Sequence, residues 1–362
     1  MSAKNLIRRP GVLLILLTVF AAVMGVNLYF GNFTYMTGNA VYEIPEEWRG
    51  FAEAVGSGDW ELAPQPPLEE SFDLENPTIP IDEIERGGPP KDGIPAITDP
   101  HTVSVASVDF LEPGDRIAGV VINGEARAYP IRLLNWHEVV NDELSGTPFA
   151  MIYCPLCDSV SVVGREVEGE VLEFGISGLL YNSNVLMYDR THDALWSQIA
   201  FEAVTGPYSG TPLKHLPWEI TTFGDWRDAH PDSTVATFDT GYERNYERNP
   251  YADYFESDEL MFAVKGDGDP RLGRKDLVVG VEVNGFTRAY PVDAVANAPG
   301  GRLEEDTDAG RIVLEAADGG EGVRVAETPP DARTVHTFWF AWVAFHPETT
   351  LYGEAPADNN GE

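Results

Sequence analysis

Apolar and polar residues alternate in two stretches of this chain, and both stretches break in the same way. "GVVINGEARAYP" (119–130) and "GVEVNGFTRAYP" (280–291) share Gly, Val, Asn-Gly and then Arg-Ala-Tyr-Pro. A period of two predicts a strand. Asn-Gly is the preferred two-residue hairpin turn, and proline ends the second strand. Each stretch therefore reads as a β-hairpin. A second pair of markers follows in the same order, "WRDAHPDST" (226–234) and "WVAFHPETT" (342–350). Two matched pairs in one order indicate a duplicated unit. The markers lie 107 residues apart in the first copy, from Gly119 to Trp226, and 62 apart in the second, from Gly280 to Trp342. The first copy has gained material. His230 and His346, repeated in the markers, are expected to serve the fold.

The remaining pattern fills in the copies. "IRLLNWHEVVND" (131–142) has apolar residues at helical spacing and predicts a short helix. "PFAMIYC" (148–154) is a buried strand, and "EVEGEVLEFGISG" and "NVLMYDR" are further strands. After the second hairpin "PVDAVAN" repeats the helix, and "RIVLEAADGGEGVRVAE" adds another hairpin. The expected class is α+β, strand-dominated and mainly antiparallel, with an internally duplicated β-rich unit. The copies are placed at about 101–240 and about 260–352.

Outside this body the pattern changes. Gly11–Phe30 is an almost unbroken apolar run, long enough for a membrane-spanning helix. Lys4, Arg8 and Arg9 precede it with no acid, which places the N-terminus inside and the body outside the cytoplasm. Residues 1–34 are read as a transmembrane anchor, with a cleaved or twin-arginine export signal as the rival. Residues 35–84 are read as a juxtamembrane segment and a proline-rich linker, since nine prolines fall within 61–100. Residues 353–362 are read as a loose tail.

Charge narrows the partners. The formal net charge is −35, and only five of the 24 basic residues are lysine. Such a chain repels phosphate backbones, so nucleic acid is not an expected partner. An acid-rich, lysine-poor composition fits a protein working in high salt, or an acidic exported protein from a GC-rich genome. No Gly-rich phosphate loop is present, so no nucleotide cofactor is expected. Nucleophile elbow, HExxH and EF-hand patterns are absent too.

Candidate chemistry centres on "YCPLC", which holds the only cysteines, Cys154 and Cys157. Thiols at this spacing chelate a metal, form a small disulfide, or are buried small residues. The strand-like sequence after them does not suit a thioredoxin fold, which needs a helix there. His137 lies on the helix before the cysteine-bearing strand and is the nearest imidazole. His137, Cys154 and Cys157 are the candidate metal ligands, with copper or zinc as the fitting ions. Cys154 and Cys157 are also the candidate catalytic thiols. An aromatic and polar segment follows at 177–198, and Asp189, Arg190, Trp196 and Gln198 are candidate pocket residues. "GYERNYERNPYADYF" (241–255) is either a loop folded over a site or a solvated linker with aromatic anchors.

Together "NWHEVVND", "YCPLCDS", "FGISGLLYNSNVLMYDRTHDALWSQ", "GPYSGTPLKHLP", "WRDAHPDST", "NPYADYF" and "NGFTRAYP" resemble the DUF3179 family of bacterial and archaeal proteins. The resemblance runs from about residue 85 to about residue 352. It implies no mechanism, because the family is named for its unknown function. The motif positions it carries over are His137, Cys154, Cys157, Asp189, Trp196 and Gln198. Ala194 stands where the family often has serine, so no hydroxyl role attaches there. The expected function is a membrane-anchored extracytoplasmic Cys/His metal-binding domain, with a thiol–disulfide redox protein and a non-catalytic ligand-binding or scaffold domain as the alternatives.

Overall fold

The computed structural model describes residues 65–354 except 263, 266–268 and 318–321, together with the backbone of a short antiparallel pair, Tyr35–Thr37 with Ala40–Tyr42. The chain divides into Met1–Pro66 and Pro67–Glu362. The anchor or signal expected over 1–34 lies outside the described residues, and so does most of the expected tail. Among the described residues no helix is long and apolar enough to cross a membrane.

The second unit is strand-dominated α+β with few, short helices. Both hairpins form as the alternation predicts. Arg116–Ile122 pairs with Glu125–Pro130, and Leu277–Val283 pairs with Phe286–Pro291. The turn residues Asn123, Gly124, Asn284 and Gly285 all have positive φ, as a type I′ turn requires. A helix follows each proline, Ile131–His137 and Val292–Ala296. The first is shorter than the apolar spacing suggests. It stops at His137, and "VVND" belongs to the strand Val139–Leu144. Glu138 makes the break, with φ 51 and ψ −39.

The copies are interleaved. In one sheet the three-strand meander of the first copy (Val139–Leu144, Thr147–Cys154, Ser159–Gly164) continues into Arg333–Phe338, Leu277–Val283, Phe286–Pro291 and Thr350–Leu351 of the second. In another, the second copy's meander (Arg302–Thr307, Gly310–Ala316, Val323–Glu327) continues into Glu219–Thr222, Arg116–Ile122, Glu125–Pro130 and Thr234–Ala236 of the first. The order of equivalent strands is the same in both. One apolar cluster joins the two sheets, with Val120, Tyr129, Ile312 and Leu314 from one, and Met151, Tyr153, Val281 and Tyr290 from the other. Most pairing is antiparallel, while the short strands after the His-Pro markers pair in parallel with the hairpins.

The additional length of the first copy lies at 165–218. Most of it builds a separate sheet around the hairpin Phe174–Tyr181 and Asn184–Asp189. The proline-rich stretch is packed against this sheet from Pro67 onward. Phe72 is buried with Leu179, Leu186 and Tyr188, and Glu85–Arg86 pairs with the strand Phe174–Tyr181. Proline removes hydrogen-bond donors without preventing apolar burial, so the composition of a linker does not here mark a free one.

Candidate functional site

The cysteines occupy the tip of a β-hairpin. Cys154 ends one strand and pairs with Ser159 at the start of the next. Pro155–Cys157 forms a single 3-10 turn, which the fixed φ of Pro155 favours at its first position. Asp158 closes it in the left-handed region at φ 42, ψ 40. Side chains from distant elements hold the turn. Leu156 O accepts from Tyr254 Oη at 2.8 Å, Cys157 O from Thr337 Oγ1 at 3.2 Å, and Asp158 O from His336 Nδ1 at 3.0 Å. The Asp158 carboxylate accepts from Arg116 Nη2 at 3.0 Å and Tyr153 Oη at 2.8 Å.

The tip of the hairpin at 174–189 covers the sulfurs. Asn182 and Ser183 have φ 50 and 62, forming a tight turn. Ser183 O lies 3.3 Å from Cys157 Sγ and 4.0 Å from Cys154 Sγ. Both thiols therefore face one carbonyl. Gln198 ties this sheet to the cysteine hairpin. Its Oε1 accepts from Ser159 Oγ at 2.7 Å and Asn184 Nδ2 at 2.8 Å, and its Nε2 donates to Ser159 O at 3.0 Å. Cys154 is 1% exposed and Cys157 0%, and both are free thiols.

The two thiols are electrostatically unlike. Burial raises the Cys154 thiol, but the Cys157 thiol and the backbone N–H groups of Val185, Cys157 and Leu156 outweigh it, so Cys154 titrates below the ordinary cysteine value. Burial and then the neighbouring Cys154 push Cys157 well up. Of the two sulfurs Cys154 is therefore the one that ionises more readily.

Glu138 precedes the strand that neighbours Cys154, its carbonyl accepting from Tyr153 N at 2.7 Å. Burial, and next the charge of Cys154, push its carboxyl well above the usual range. Tyr251 Oη reaches Glu138 Oε1 at 3.4 Å. The left-handed backbone at Glu138 is uncommon for a side chain of this size. A strained residue carrying a buried acid beside a thiol of lowered pKa has the character of a working site.

His137 does not join the sulfurs. Its Nδ1 donates to Pro95 O at 2.8 Å, and its Nε2 meets Tyr246 Oη at 2.7 Å. Burial holds the ring neutral, with its pKa lowered to about 4. Among the described residues no three His, Cys, Asp or Glu side chains converge to hold a metal. The residues expected to line a pocket separate into two groups. Gln198 borders the cysteines. Asp189 instead accepts from Trp196 Nε1 at 2.9 Å and from His192 N at 2.7 Å, while Arg190 pairs with Asp92 at 2.9 Å and Glu173 at 3.1 Å. The aromatic segment after Gly241 is folded over the site, with Tyr246 on His137, Tyr251 on Glu138 and Tyr254 on Leu156. Glu138, Tyr251, Tyr254 and Asn184 complete the neighbourhood. The Tyr-rich run and the polar stretch holding Asn184 pointed to it in sequence, while Glu138 did not stand out, because the helix-to-strand break that buries it has no pattern of its own.

No curated protein and no solved structure matched the chain. The family described as "Protein of unknown function (DUF3179)" matches residues 91–337. That stretch contains the cysteine hairpin, the covering hairpin and the aromatic segment, and the chain belongs to the DUF3179 family.

Proposed function

We propose that this protein is a thiol–disulfide redox protein of the extracytoplasmic space, carried there by the apolar run Gly11–Phe30, with Cys154 and Cys157 as its working pair. The observation that carries the reading is the convergence of both sulfurs on Ser183 O, at 3.3 and 4.0 Å, with Cys154 the lower-titrating thiol. A two-electron oxidant, either a disulfide or a peroxide, accepts the electrons. Cys154 attacks as thiolate, Cys157 then attacks Cys154 Sγ, and an S–S bond forms as both thiol protons leave with the reduced oxidant. A CxxC turn brings two β-carbons near enough for such a bond. The raised carboxyl of Glu138 supplies a neutral acid beside the pair.

The test is equilibrium. Purified protein is held for long times in dithiothreitol redox buffers, quenched in acid, alkylated and weighed. A single reversible transition between dithiol and intramolecular disulfide is expected, and C154S or C157S should abolish it. Two thiols that stay reduced at every poise would sink the reading.

A second reading uses the same convergence. Two thiolates facing one side of a turn suit copper(I), which soft sulfur ligands select; the described donors do not supply the four ligands of a structural zinc site. Elemental analysis of the reduced protein after copper(I) loading should give one equivalent, lost in C154S. No retained copper removes this reading.

A further inference from the structure

We infer that the Cys154–Cys157 centre takes a small hydroperoxide, hydrogen peroxide before larger ones, as its oxidant; the inference rests on the dithiol reading and names its substrate class. Enclosure is the first ground. Cys154, Cys157, Ser183 and Asn184 are each 1% exposed or less, beneath the Asn182–Ser183 turn and beside Tyr254. Exchange with a disulfide of another protein requires three sulfurs in line, with a second chain reaching the attacked sulfur. No sulfur surface is open to such a chain.

The second ground is unsatisfied polarity. Ser183 Oγ and Asn184 Oδ1 are buried and have no hydrogen-bond partner within the protein. Both belong to the turn that covers the sulfurs. Ser183 lends its carbonyl to them, and the other end of the Asn184 amide bonds Gln198 beside Ser159. Buried polar atoms of this kind ask for a small polar guest. Hydrogen peroxide donates through both oxygens, so it can give one hydrogen bond to Asn184 Oδ1 while accepting one from Ser183 Oγ. An alkyl hydroperoxide has one donor and a bulky tail.

The chemistry closes on these residues. Cys154 thiolate attacks one peroxide oxygen and the O–O bond breaks. The departing hydroxide takes a proton and leaves as water, and Cys154 becomes a sulfenic acid. Cys157 thiolate then attacks Cys154 Sγ, the S–S bond forms, and the second oxygen leaves as water. In sum two thiols and one peroxide give one disulfide and two waters.

The experiment follows the reduced full chain by intact mass after mixing with hydrogen peroxide, cumene hydroperoxide or oxidised glutathione. Hydrogen peroxide should remove two hydrogens fastest, and C157S should stop with one oxygen gained. Asn184→Ala, checked for folding by circular dichroism, should slow the peroxide reaction about fivefold to tenfold, the worth of one hydrogen bond; an unchanged peroxide rate overturns the assignment of Asn184 to the peroxide. Oxidised glutathione reacting as fast as hydrogen peroxide overturns the inference. So does a disulfide that forms in dithiothreitol buffers but not with peroxide, an outcome that leaves the dithiol reading standing. Thiols inert in both experiments end both.

Discussion

Glu138 shows what one residue can impose on this molecule. Its carboxyl titrates well above the usual value because it is buried beside Cys154. In the unfolded chain it ionises near pH 4.5, so above that pH folding must take up a proton. Stability attributable to this group therefore falls as pH rises from about 4.5 toward the folded value, by at most about 1.4 kcal/mol per pH unit. Glu138→Gln should match the parent near pH 4 and exceed it in stability at pH 8, as read from urea unfolding at both pH values. A variant that is less stable at pH 8 would contradict the buried neutral acid. The histidines act on the other limb. Burial lowers His137, His215, His336 and His346 to about 4. An unfolded imidazole takes a proton near pH 6.5, so stability should drop as pH falls from about 6.5 to 4. Melting temperature followed across that range should show the drop, and a flat profile would contradict the neutral rings. At this scale the cysteines were legible because they are the only two. The direction of the His137 ring was not, since helical spacing fixes a face but not which carbonyl and phenol fill that face.

The repeated elements are tied by repeated contacts. Arg127 and Tyr129 both bond Asp142, and Arg288 and Tyr290 both bond Glu305. Trp226 Nε1 donates to Ser233 Oγ at 2.9 Å, and Trp342 Nε1 to Thr349 Oγ1 at 2.8 Å. His230 and His346 each lie against their own tryptophan, with ring centroids 4.1 and 3.9 Å apart. The shared glycines explain themselves here. A Cβ on Gly119 would come within 2.1 Å of Trp226, and one on Gly280 within 2.2 Å of Trp342. Gly119→Ala and Gly280→Ala should each cost about 1 to 3 kcal/mol through overpacking, read as a fall in the urea midpoint. Unchanged midpoints would mean that the tryptophans move aside freely. The Arg-Ala-Tyr-Pro strings were legible as elements, and their alternation gave strand and turn correctly. Their carboxylate partners were hidden, because Asp142 and Glu305 differ in type and lie in stretches that do not otherwise match.

The whole molecule joins an acidic surface to an interleaved core. A net charge of −35 repels itself, and salt shortens the reach of that repulsion from about 10 Å at 0.1 M to about 3 Å at 1 M. Melting temperature should accordingly rise by several degrees with potassium chloride over that range; a fall would count against the high-salt reading. Duplication was legible from two pairs of markers, but the exchange of meanders between copies was not. Strand alternation says which face is buried and not which neighbour pairs at the edge. The exchange makes each copy incomplete. Without the second copy, Ser159–Gly164 loses Arg333–Phe338 and Glu219–Thr222 loses Val323–Glu327. Two sheet edges would then be bare, and Val281, Tyr290, Ile312 and Leu314 would leave the shared core. Such a piece exposes apolar surface that only the other copy can cover. Cutting the gene between the exposed residues Asp258 and Glu259 should therefore give two chains that are unfolded or aggregated alone. Expressed together they should assemble one to one, with Cys154 and Cys157 again shielded from alkylation. Independent folding of residues 1–258, with a sharp unfolding transition of its own, would show that the meanders need no exchange to be stable.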